Sequence, residues 1–234
     1  MERSDARPSE PPWSVKTAAV YHCYDMETEA TTWVIIKANK LMKDRIKAVR
    51  DEELRREEET PNGNELSQLR MSFKIHFLFA SWAAEQWRWY INFLEERLQE
   101  LSLDAAVLRT GAGILLQDSS ASGNNAEKDE VSTPLRKLQD VHHIYEKASE
   151  SLQIAEADLD VLKRLEDLYV RPAAEWKQRK QNGRIRDVEE FRRSLAEVLS
   201  ELDMQGKRLG ALLRLIESRR QLVSLIAFSL RTYD

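Results

Sequence analysis

A single cysteine, Cys23, stands in a chain of 234 residues. An internal disulfide is therefore excluded, as is a cysteine-built zinc site, and a reducing, cytoplasmic compartment is the natural expectation. Seven glycines and six prolines are little punctuation for this length, which favours long helices over many short strands. No stretch approaches the roughly 18–20 consecutive apolar residues of a membrane span, the longest candidate, 222–228, being about a third of that. The opening MERSDARPSEPPW holds no apolar signal core. An excess of one charge is missing too. The net charge of −4 is too close to balance to argue for nucleic acid or an anionic membrane surface as a partner. There is no glycine-rich phosphate loop, no Gly-x-Ser-x-Gly elbow and no dinucleotide fingerprint, so the chain is expected to be non-enzymatic.

What the chain does have is a seven-residue apolar repeat over its last fifty residues. Val188, Leu195, Leu202, Leu209, Ile216, Val223 and Leu230 form one row, and all are apolar. Phe191, Val198, Gln205, Leu212, Arg219, Ile226 and Tyr233 form a second row three residues behind, broken only by Gln205 and Arg219. Such a stripe belongs to a long helix pressed against other helices along its length. A preceding helix over 135–169 shows two rows of its own. One is Leu138, Tyr145, Leu152 and Leu159; the other is Val141, Ala148, Ala155, Leu162 and Tyr169. The short basic connection through Gly183 makes the two helices antiparallel neighbours. Part of the C-terminal stripe is left over for a second copy, so a homo-oligomer through that helix is expected.

The N-terminal half reads differently. Residues 1–15 hold three prolines and mixed charges, and are expected to be a disordered tail. AAVYHCYD and TTWVIIKA, separated by the acidic METEA, predict a β-hairpin. Asn39–Glu59 predicts a helix with a thin apolar face of Leu41, Ile46, Val49 and Leu54. A second helix, over 65–101, is crowded with aromatics from Phe73 to Phe93 and should be buried on several sides. Residues 110–133, rich in Gly, Ser, Asn and acid, predict a flexible linker, and Thr133-Pro134 the start of the next helix. The domain plan is thus a tail at 1–15, a hairpin plus Trp-rich helical part at 16–109, a linker at 110–133 and a helical stalk at 134–234. The fold class is mainly α: long antiparallel helices in a coiled-coil-like bundle with a small N-terminal hairpin.

Few residues suggest chemistry. Trp82, Trp87, Trp89 and Tyr90 could line a pocket for a flat or greasy ligand, which gives the alternative reading of a small all-α enzyme or hydrophobic-ligand carrier; packing in the core is the commoner use of such a cluster. His142 and Glu146 are four apart on one helix face, a two-ligand fragment. Asp25 and Glu27 alternate in the hairpin turn, where clustered carboxylates could attract a hard cation such as Mg²⁺. Solvated positions are the bland reading of both pairs. Glu156, Asp158 and Asp160 fall on the polar face between the apolar rows and are expected to be exposed. His22 beside Cys23 has no orienting third group in sequence, so a thiol nucleophile is not expected.

Four segments together resemble a known family. YHCYDMETEATTWVIIKANKLMKDRI resembles the opening of the cytosolic domain of CorA-like proteins of fungi, with a Tyr-His-x-Tyr-Asp start, a Trp-centred strand and a Lys-x-Asn helix start. ASWAAEQWRWYINFLEERL resembles that family's Trp-Arg-Trp-Tyr-Ile-Asn helix. LRKLQDVHHIYEKASESLQIAEADLDVLKRLEDLY resembles its next helix, and LLRLIESRRQLVSLIAFSLRTYD the long helix that leads toward the membrane. The resemblance covers roughly 19–100 and 135–234. It implies the architecture of a divalent-cation transporter: a cytosolic α-rich domain, then a stalk helix leading into two membrane spans. Neither span nor the Gly-Met-Asn signature of the first is in this sequence. The expectation is a regulatory or assembly module on the cytosolic side, touching a membrane only through segments absent here, with Mg²⁺ the one ion implied.

Overall fold

The computed structural model describes residues 2–3, 13–25, 27–28, 30–59, 68–115, 126–179 and 181–231. The fold is mainly helical with a small antiparallel hairpin near the N-terminus. Strands β1 (Glu2–Arg3) and β2 (Trp13–Ser14) make a two-residue pairing, and β3 (Ala19–Tyr24) pairs with β4 (Thr31–Ile36). Among the described residues six helices follow: α1 (Lys40–Glu59), α2 (Gln68–Ala84), α3 (Trp87–Leu115), α4 (Ala126–Leu168), α5 (Val170–Gln178) and α6 (Asn182–Arg231). The chain divides into two compact units. One comprises 1–86 and 157–203, the other 87–156 and 204–234. Of the expected tail, residues 1 and 4–12 lie outside the described residues, as does 116–125 in the middle of the expected linker.

The hairpin closes on its own acid. Asp25 Oδ1 accepts the backbone N–H of Glu27 at 2.8 Å and that of Thr28 at 3.3 Å, while the Thr28 hydroxyl donates to Oδ2 at 2.7 Å. This Asx-type turn replaces the Asn-Gly or Asp-Gly signal that the sequence lacks. The register sets Tyr21 opposite Val34 and His22 opposite Trp33. Alternation then places His22, Trp33 and Ile35 on the partly buried face, and Tyr21, Cys23, Val34 and Ile36 on the exposed one.

Asn39 caps α1, its Oδ1 accepting the Met42 N–H at 2.8 Å. The buried stripe of α1 is not the expected one. Leu41 and Leu54 are exposed, and Met42 and Glu53 are buried instead. Glu53 tolerates this because Lys74 of α2 pairs with it. The single aromatic helix expected over 65–101 is two helices, interrupted at Glu85 and Gln86, and Gln86 takes a positive φ of 71°. The local sequence contains no helix breaker. Glu85 instead makes a two-pronged ion pair with Arg45 of α1, at 2.8 and 2.9 Å. A bidentate pair of this kind offsets the roughly 1–2 kcal/mol of a left-handed non-glycine residue.

In the first unit, α2 is the central element. The hairpin lies on one flank. On the other, Phe73 stacks on Phe191 of α6 with ring centroids 4.9 Å apart and meets Tyr169, between α4 and α5, edge-on at 4.8 Å. The α6 rows are buried at Val188, Phe191, Leu195, Val198 and Leu202 in this unit, and at Gln205, Leu209, Leu212 and Ile216 in the second, while Arg219 of the second row is exposed. Val223, Ile226, Leu230 and Tyr233 have side chains outside the described residues. Along α4 the buried row is the small one, Val141, Ala148, Ala155, Leu162 and Tyr169, whereas Tyr145, Leu152 and Leu159 are half-buried. Alanines let the neighbouring backbone approach, so the bulkier row is left flanking the contact. Helix α4 ends at Leu168 and Pro172 sits in the first turn of α5, as its missing N–H favours. The helix expected to start at Thr133-Pro134 begins earlier, at Ala126, and α3 runs on to Leu115, so both helices extend into the expected linker.

The core of the second unit holds two polar residues among those described, Ser151, whose hydroxyl donates to the Lys147 carbonyl at 2.6 Å, and Gln205. Gln205 is 1% exposed and its Oε1 has no hydrogen-bond partner. A buried unmet acceptor costs about 1–3 kcal/mol, while a polar group in an apolar seam pins helix register. Gln205→Leu is therefore expected to raise the free energy of unfolding by about 1 kcal/mol, measured by urea denaturation followed by circular dichroism. Nearby in that unit, Arg208 ties α6 to α3 through Asn92 and Glu95, both at 2.9 Å.

Candidate functional site

Ser72 and His76 stand one turn apart on α2, facing the inner side of the hairpin. His22 reaches between them from β3. Its Nε2 lies 2.9 Å from Thr31 Oγ1 and 3.1 Å from Ser72 Oγ, and its Nδ1 lies 3.0 Å from His76 Nε2. The proton order follows from the far end. Ser72 Oγ donates its one proton to the Gln68 carbonyl at 2.8 Å, so it accepts from His22 Nε2–H. A neutral His22 then presents Nδ1 as an acceptor, and His76 Nε2–H donates to it. The His22 ring also stacks on Trp33 at 4.1 Å and 19°, and His76 meets Trp33 at 4.8 Å and Tyr169 at 6.0 Å.

The cluster is held neutral. Burial pushes His76 down to about 3, with a smaller push from His22, and burial also lowers His22. Tyr169 is driven upward by burial. Serine, histidine and a second histidine in a row have the order of a nucleophile, a base and an orienting group. The geometry does not serve that chemistry. Ser72 is fully buried and its proton points at a backbone carbonyl, so no substrate carbonyl can meet the hydroxyl. The arrangement works as a polar clip that fastens the hairpin to α2.

Across the Phe73–Phe191 stack from this clip is a groove of about 540 Å³ between α1, α2 and the first turns of α6. Phe73, Phe77 and Phe191 contribute aromatic surface to it, and Arg70, Asp187 and Glu190 contribute charge. Burial raises the Asp187 carboxyl, against the opposing pull of Arg70.

The residues singled out in the sequence are scattered by comparison. Trp87 and Tyr90 are buried in the second unit, edge-to-face at 6.4 Å, with Tyr90 hydrogen-bonded to Ser151. Trp89 is 59% exposed, with the Arg88 guanidinium over its ring. Trp82 is half-buried on α2 in the first unit. None of the four lines the groove. His142 Nε2 and Glu146 Oε1 come within 3.4 Å on the exposed side of α4. Asp25 turns both oxygens toward its own turn, which holds its carboxyl below the usual range, chiefly through the Thr28 hydroxyl; Glu27 is exposed. Among the described residues no three His, Cys, Asp or Glu side chains are grouped to hold a metal ion. Asp158 departs from its expected exposure. It is half-buried, and burial raises its carboxyl to about 6. The His22–His76 pair was not legible from either residue alone, since 54 positions separate them; strand alternation at His22 and the Leu69, Ser72, Phe73, His76 face of α2 were the usable signals.

The protein is mainly helical, and its polar clip fastens the hairpin to α2. Among the described residues no helix is long and apolar enough to cross a membrane. A family model described as CorA-like transporters matches residues 1–106, and the chain is similar to that family over this stretch, which takes in the hairpin, α1, α2 and most of α3. No curated protein and no solved structure matches the chain.

Proposed function

We propose that this chain is a CorA-like, transporter-related protein whose helical body acts on the cytosolic side of a membrane as a non-enzymatic regulatory and assembly module. The observation that carries this reading is the match to CorA-like transporters over residues 1–106. The build of α6 supports the assembly part. Its fifty residues carry a heptad stripe that is buried from Val188 to Ile216, and the stripe continues in sequence through Val223, Ile226 and Leu230. A helix of this length, roughly 75 Å at 1.5 Å per residue, suits a scaffold that transmits position between partners. A second copy packed against the C-terminal end of α6 is the partner this reading requires, because an apolar stripe of that length is costly to leave in water.

Sedimentation equilibrium of the whole chain, from low micromolar concentration upward, tests the proposal. Reversible association that weakens in a Val223→Glu, Ile226→Glu variant is the expected outcome. A compact monomer at every concentration would overturn the assembly role.

A further inference from the structure

We propose that His22 is a proton-operated latch: uptake of a proton at its Nδ1 drives it out of the Ser72–His76 pocket and undocks the β3–β4 hairpin from α2. This does not depend on the transporter-related reading, since it rests only on geometry within the first unit.

One proton arrangement satisfies all the contacts of the docked state together. The Ser72 hydroxyl is committed to the Gln68 carbonyl at 2.8 Å, His22 Nε2–H points to the Ser72 and Thr31 hydroxyls, and His76 Nε2–H points to His22 Nδ1 at 3.0 Å. A further proton on His22 can go only to Nδ1. Two N–H groups would then face each other across that 3.0 Å gap, and a donor–donor pair there is repulsive. His76 can relieve the clash only by moving its own proton from Nε2 to Nδ1, since its ring is walled by Trp33, Tyr169 and Phe191 against turning. A His76 protonated on Nδ1 at low pH with the hairpin still docked would overturn the latch. The groups facing the pair are Thr31 and Trp33 from β4, Ser72 and His76 from α2, Tyr169 from the turn before α5 and Phe191 from α6. The titratable ones among them, His76 and Tyr169, are both kept neutral by burial. These contacts supply no carboxylate to balance an imidazolium, so the charge is accommodated by leaving. Departure is feasible because His22 is only half-buried and the hairpin is held by two strands on one helix flank.

The direction of the pH effect follows. The docked form disfavours the proton, as the lowered His22 value indicates, and the released hairpin takes it up near the ordinary histidine range. Docking is therefore complete above about pH 6.5 and weakens as pH falls below it. Hydrogen exchange of the β3 and β4 amides, corrected for the intrinsic pH dependence of exchange, should quicken at least about tenfold between pH 7.5 and 5, while buried α6 amides in the same unit change far less. His22→Gln, which keeps a side-chain amide in place of the imidazole but cannot titrate, should abolish the difference. Unchanged exchange in the natural protein, or an equal change in His22→Gln, would overturn the latch. Nitrogen-15 shifts of the imidazoles give a test that needs no variant. Both rings should carry their proton on Nε2 at neutral pH, and a His22 protonated on Nδ1 there would also overturn it.

Discussion

Leu195→Ala should lower the free energy of unfolding by about 3 kcal/mol, the cost of truncating a fully packed leucine and leaving a partly uncollapsed cavity. Leu195 is completely buried and lies one helical turn past Phe191, which stacks on Phe73 of α2. Its removal thus strikes the contact between α6 and the centre of the first unit. The control is Val161→Ala on α4, in the same unit. That valine is 62% exposed, so its truncation should change stability by no more than about 0.5 kcal/mol. Urea denaturation of both variants, followed by circular dichroism, supplies the comparison. Equal effects at the two positions would mean that the heptad stripe of α6 is not the seam that sequence and structure both mark.

That stripe was also the most legible part of the chain. A period of seven sustained over fifty residues leaves one helical face to bury, and Val188, Leu195, Leu202, Leu209 and Ile216 are all buried. The hairpin was legible for the same kind of reason: alternation in Thr31–Ile36 and a polar turn fix both strands and register. What escaped the sequence was set by contacts between distant residues. The break at Gln86 depends on Glu85 reaching Arg45, forty residues earlier, and local propensity through Ala83, Ala84 and Glu85 argues for continuous helix. The buried side of α1 turns on Glu53 finding Lys74; without that partner a glutamate in the stripe reads as solvent-facing. The histidine clip needs two elements docked before either ring has a partner. The Trp cluster illustrates the opposite error of scale: four aromatics close in sequence diverge in use, with Trp87 buried and Trp89 facing water.

Acid should destabilise the protein through His76, and the sign can be followed group by group. In the folded state burial holds His76 down to about 3, against an ordinary value of 6.5. Below pH 6.5 the unfolded chain binds a proton that the folded chain refuses, so this contribution is complete above pH 6.5 and is lost as pH falls toward 3. At about 1.4 kcal/mol per pH unit the full loss is at most about 5 kcal/mol, and about 2 kcal/mol is gone by pH 5. Asp158 works the other way. Burial raises its carboxyl from 3.8 to about 6, so the folded state gains a proton before the unfolded state does, and stability rises as pH falls from 6 to 3.8. Because that carboxyl is about a third open to solvent, screening reduces its effect to somewhere near 0.5–1 kcal/mol by pH 5. The natural protein is accordingly expected to be at least about 1–1.5 kcal/mol less stable at pH 5 than at pH 7, because His22, also lowered by burial, adds to the loss. His76→Phe keeps an aromatic ring against Tyr169 and Phe191 but cannot titrate. Its loss over the same interval should be smaller than the natural protein's by about 2 kcal/mol, with His22 and Asp158 left to act in opposite directions, whereas Asp158→Asn should steepen the loss. Urea denaturation of the three proteins at the two pH values measures all of this. A His76→Phe variant that loses as much stability on acidification as the natural protein would show that His76 is not the group the folded state keeps from its proton.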